Sequence, residues 1–146
     1  MVHTPYLALL EALAHHLPGI DPSSLVQAQS LTIDGRRIDF ALEADPQNDT
    51  ENRMVVRCEV VRLPAPASEA VCRLLLHANN LWAGTRGATL GLRGDRIVIA
   101  SETARLASLD PDRVVAMLAG LREQAQAWAA ELTGMFEHNE RLEPHA

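Results

Sequence analysis

The chain has 146 residues, enough for one domain that buries roughly two-thirds of its unfolded surface. Apolar residues make up 47% and charged residues 22%, ordinary globular values that argue against wholesale disorder. Thirteen basic residues, all arginine, against nineteen acidic ones give a formal net charge of −6; that balance argues against a nucleic-acid binder, which needs a concentrated basic face to displace counterions, and disfavours anionic membranes.

Thr4-Pro5 is a helix start, a capping hydroxyl followed by proline at the first helical position. Leu7, Leu10, Ala14 and Leu17 follow at helical spacing, and Pro18-Gly19 stops the run. Leu9 and Leu13 fall beside that stripe, so the apolar face is wider than one core contact needs. After a polar connection, Leu31 to Leu42 reads as a hairpin turning at Asp34-Gly35, a pair that tolerates positive φ. Ile38, Phe40 and Leu42 share one face of its second strand; Arg37, Asp39 and Glu43 share the other.

Asp45 to Asn52 is a polar loop. Met54 to Leu63 is a third strand, with Met54, Val56, Cys58 and Val60 on one side. Its opposite side, Val55, Arg57, Glu59 and Val61, is only half polar, which predicts a strand covered on both faces. Pro64 and Pro66 end the strand and open a helix through Trp82. Val71, Leu74, Leu75, Ala78, Leu81 and Trp82 form its main stripe, while Cys72 and Leu76 lie well around the helix. That second apolar strip predicts a second surface to cover, a partner or a neighbouring subunit.

Gly84 to Gly87 is a turn, and Ala88–Leu92 pairs with Arg96–Ser101 around Gly94-Asp95. Asp110-Pro111 caps a last helix whose seam is Val114, Leu118, Leu121, Ala125, Trp128 and Leu132, closed by Gly134. The order helix, three strands, helix, two strands, helix predicts one α+β domain over residues 1–134, an antiparallel sheet with helices packed on it, followed by a flexible tail at 135–146.

Catalytic sets are not legible in this pattern. Glu11 and His15 share a helix face and could offer two metal ligands, but a third would have to come from His3, His138 or His145 with no supporting spacing. Cys58 lies mid-strand and Cys72 within a helix, away from the turns and helix N-termini where a thiolate is stabilised. GxSxG, HExxH and phosphate-cradling loops are missing, and Arg93-Gly94-Asp95 and Asn48-Asp49-Thr50 read as turn and loop chemistry. No metal or cofactor is expected. No apolar run approaches the ~18 residues of a membrane span, and the N-terminus has no basic segment ahead of an apolar one, so a cytoplasmic protein without membrane insertion is expected.

The element order and three segments resemble the type III secretion chaperones of the Tir-chaperone (CesT-like) family. The segments are Leu75–Trp82 with its Asn80-Leu81 pair, Ala88–Leu92, and Ala107–Leu132 with Leu109-Asp110-Pro111 ahead of a helix containing a Trp. The resemblance implies a homodimeric cytoplasmic chaperone that binds the N-terminal chaperone-binding segment of a secreted effector and keeps it secretion-competent without ATP hydrolysis. It implies a dimer interface on the middle helix, for which position proposes Val71, Cys72, Leu75, Leu76, Asn79 and Trp82. It also implies cargo wrapped along the first helix and the sheet, for which position proposes Leu9, Leu13, Ile33, Phe40 and Val55, each with ordinary core packing as the alternative reading. Two rival classes are a regulatory interaction module on the same fold and a small hydrolase or metalloprotein built on Glu11 and His15.

Overall fold

The computed structural model describes residues 4–80 and 87–142. Helices α1 (Thr4–Ala14) and α2 (Pro22–Ala28) precede strands β1 (Ser30–Ile33), β2 (Arg36–Glu43) and β3 (Arg53–Arg62). Helix α3 (Glu69–Asn79), strands β4 (Thr89–Arg93) and β5 (Ile97–Arg105), and helix α4 (Pro111–Leu142) follow. The strands form one antiparallel sheet in the order β1-β2-β3-β5-β4, so the fold is α+β as the pattern predicts.

Alternation along the strands separates the two sheet faces. Ile38, Met54, Val56, Cys58, Val98 and Ala100 have no accessible surface and join one core with Leu10 and Leu13 of α1. The α4 seam meets the same core: Val114, Leu118, Leu121, Ala125 and Leu132 are buried, and Trp128 packs against it half-exposed. Each fully buried leucine contributes roughly 1.5–3 kcal/mol of transfer free energy, which is what holds a helix of this length on the sheet. Asp34 and Gly35 sit at φ 52° and 77°, the positive angles the hairpin turn requires.

Several boundaries differ from the sequence reading, each for a local reason. The polar connection contains α2, started by Asp21-Pro22: the Asp21 carboxylate accepts from the Ser24 backbone N–H at 2.9 Å. Helix α3 begins after the prolines, at Glu69, because the Ser68 hydroxyl caps Val71 N–H. Strand β5 runs past Ser101 to Arg105, its polar end pairing with Arg53 to Val56 of β3. Helix α4 does not stop at Gly134 but continues to Leu142, and Met135 and Phe136, assigned to a tail, pack against the core. Gly134 therefore sits inside a helix. The loop 45–52 folds onto Asn52, which is 3% exposed: its amide oxygen accepts from Asp45 N–H, and its backbone oxygen accepts from Leu106 N–H.

Candidate functional site

Helix α3 caps one edge of the sheet. Asn79 supplies the fastening: its Nδ2 donates to the Leu90 carbonyl and its Oδ1 accepts from the Leu90 N–H, both at 2.8 Å. The amide side chain thus imitates a strand neighbour and occupies two outward groups of edge strand β4. Val71 and Leu75 are 2% and 4% exposed and belong to the core, so in the described chain they face inward rather than toward a second copy. Cys72 is half-buried, and Leu76, one turn further, is 71% exposed, the exposed large hydrophobic among the described residues. A shallow cleft beside Leu76 is lined by Arg73, His77, Asn79 and Asn80. Trp82, assigned to the same surface, lies outside the described residues, as does most of the expected turn at 84–87.

A second feature lies at the start of α1. Pro5 and Leu9 form one wall of an apolar cleft of about 400 Å³, with Leu106, Ala107 and Leu109 opposite and Asp49, Thr50 and Asn52 at the rim. Of the two α1 leucines proposed for cargo, Leu9 therefore keeps a little surface in a cleft, whereas Leu13 is wholly buried. Leu13 is corrected to core: the stripe of α1 is wide because the helix meets both α2 and α4, not because it awaits a ligand. Phe40 is likewise core at 4% exposed, and Ile33 is half-buried against it.

Val55 stands apart from these. It is 7% exposed yet points away from the core, between Ala41 of β2 and Thr103 of β5 on the outer sheet face. Around it the face is polar. Arg93 reaches Asp39 at 2.8 Å and Glu59 at 3.4 Å, and Arg37 donates to Asp39 at 2.8 Å. Burial works against ionisation of Asp39, but the hydrogen bonds from Arg37 and Arg93 outweigh it and hold the carboxyl below the usual carboxylate range.

Glu11 is exposed on α1 and His15 is exposed in the turn that follows it, so the two do not share one helix; the His16 Nδ1 lies 3.0 Å from the Ala12 carbonyl, to which it donates in the tautomer protonated there. Among the described residues no group of three His, Cys, Asp or Glu side chains is placed to hold a metal ion. Burial pushes the Cys58 thiol up to about 11, which keeps it protonated and unreactive at neutral pH. Glu102 projects from β5 into a cleft with Ala88, Met117 and Leu121, where burial raises its carboxyl above the ordinary value. No helix among the described residues is long and apolar enough to cross a membrane. The described surface carries an exposed leucine on α3, a cleft at the start of α1 and a polar outer sheet face.

A five-stranded antiparallel sheet with helices packed on one side defines a small α+β fold. The model of the Tir chaperone protein (CesT) family matches residues 30–129, and the chain belongs to that family. No curated protein sequence matches the chain. Among solved structures, a chain of the ExsC-ExsE complex superposes with a TM-score of 0.65 at 21% identity, covering 86% of this chain and 91% of that one. A chain of the HopA1-SchA chaperone-effector complex superposes at 0.60 and 20% identity, covering 86% and 94%. At these identities the superpositions establish a shared fold.

Proposed function

We propose that this chain is a non-enzymatic, cytoplasmic type III secretion chaperone that binds the N-terminal chaperone-binding segment of one or a few effector proteins and keeps it secretion-competent without ATP hydrolysis. The observation that carries the reading is family membership over residues 30–129, joined to a fold shared with a chain of a chaperone–effector complex. The surfaces agree with such a role. An extended segment can seat an apolar side chain in the α1 cleft at Leu9 while its backbone pairs along a sheet edge, which divides affinity from selectivity. The covered β4 edge leaves β1 as the edge for that pairing.

The chaperone acts as a homodimer in this reading, joined through the outer side of α3. Leu76 and Cys72 are the apolar part of that surface, and Asn79 serves it indirectly by fixing α3 to β4. Deleting the gene in its native bacterium should lower the cellular level and the secretion of a particular effector, and the wild-type gene should restore both. Unchanged levels of every secreted protein would overturn the proposal.

A further inference from the structure

Glu102 places a carboxylate on the helix-covered face of the sheet. It pairs in register with Val56 of β3, and Ala100, two residues earlier on β5, shares its side; both neighbours have no accessible surface. Among the described residues Glu102 makes no hydrogen bond or ion pair, and burial is what shifts its carboxyl. A half-buried carboxylate of this kind weakens the fold until something supplies a partner for it.

There is room for that partner. Steps of three and four along α4 set Arg113, Ala116, Met117, Gly120 and Gln124 on one flank, which with Ala88 and Glu102 borders a cleft of about 360 Å³. The cleft stays open because Ala88, Ala116 and Gly120 carry little or no side chain; a Cβ at Gly120 would meet nothing within 4 Å. The other ionisable groups that line it are Arg113 and Glu123. Arg113 gives its guanidinium to the Ser108 carbonyl at 3.0 Å rather than to Glu102. Two carboxylates against one committed cation leave the cleft with an excess of negative charge.

A long side chain with an apolar stem and a cationic head matches both the walls and the charge. A guanidinium suits the place better than an ammonium, because it is more weakly hydrated and takes a carboxylate through two parallel N–H···O bonds. We propose that this cleft receives an arginine side chain of the bound polypeptide, its methylenes on Ala88, Ala116 and Gly120 and its guanidinium on the Glu102 carboxylate. The proposal deepens the chaperone reading, from which it takes the partner's identity, but the cleft can be tested by itself.

The probes are blocked Gly-Arg-Gly peptides with citrulline and lysine counterparts, titrated at neutral pH and millimolar concentration into the ¹⁵N-labelled protein. The arginine peptide should shift the amides of Ala88, Glu102 and Gly120. It should bind about fivefold more tightly than the citrulline peptide, which keeps the shape without the charge, and weaken as salt rises. Glu102→Gln should bind the two peptides equally. Gly120→Leu, which fills the cleft and leaves the carboxylate in place, should bind neither there.

Equal binding of the arginine and citrulline peptides by the wild type, lysine bound as tightly as arginine, shifts confined to other surfaces, or an undiminished preference in either variant overturns the arginine site. None of these results touches the chaperone reading, which stands or falls with the secretion phenotype. A chain with no dependent effector that still binds the arginine peptide at the cleft would keep the site and lose the cargo.

Discussion

Asn79 shows how much one side chain can fix. By bonding both backbone groups of Leu90 it holds α3 against the sheet and occupies part of the β4 edge. Asn79→Ala leaves both groups without these partners, so it should cost about 1–3 kcal/mol in urea unfolding and leave more of β4 open to self-association. Asp39 and Glu102 form an opposed pair in pH dependence. The Asp39 carboxyl is held low, so its stabilisation is complete above the ordinary carboxylate pKa near ~4 and is lost as pH falls through the lowered value. Glu102 is held high by burial, so its ionised form weakens the fold at neutral pH and acid relieves the penalty. Asp39→Asn should therefore lower the urea midpoint at pH 7 with a deficit that shrinks on acidification. Glu102→Gln should raise it at pH 7, with the gain gone by about pH 4. Reversal of either sign would contradict the assigned causes.

At the scale of elements, the C-terminal helix separates what periodicity reveals from what it hides. The seam from Val114 to Leu132 was readable because apolar residues at alternating threes and fours must share a side, and they are buried. Its end was not readable, since glycine at 134 is equally compatible with a cap and with a solvated helix interior. A Cβ at Gly134 meets nothing within 4 Å and its φ is not positive, so Gly134→Ala should stabilise the protein by roughly 0.5–1 kcal/mol in thermal unfolding. A loss of stability would mean that the helix ends there after all. Helix α2 escaped the pattern because it holds few apolar residues, although Asp21-Pro22 repeats the start signal read correctly at Asp110-Pro111. The candidate site was harder to read. Buried Leu13 and nearly buried Leu9 lie on one helix, and only the loops around Leu106 and Asn52, distant in sequence, create the cleft at the second. Val55 was legible as one of the apolar residues on the half-polar side of its strand, but its neighbours Ala41 and Thr103 emerge only from strand register.

For the molecule as a whole, burial and charge divide the labour. Helices fill one side of the sheet, the other side is polar, and the α1 cleft and Leu76 on α3 keep apolar surface exposed. Leu76 is 71% exposed in the single chain, so Leu76→Glu should leave the helix and strand content unchanged by circular dichroism while shifting sedimentation from dimer to monomer. A wild-type monomer at micromolar concentration would remove the dimer. The central claim is that the chain holds the N-terminal segment of a secreted protein. It is tested most directly by co-expressing the chain with N-terminal fragments of candidate effectors and measuring the purified mass by light scattering in nucleotide-free buffer. The account predicts a stable particle containing two copies of this 15.9 kDa chain together with an effector segment. Elution of the chain alone, with every fragment left insoluble or degraded, would contradict it.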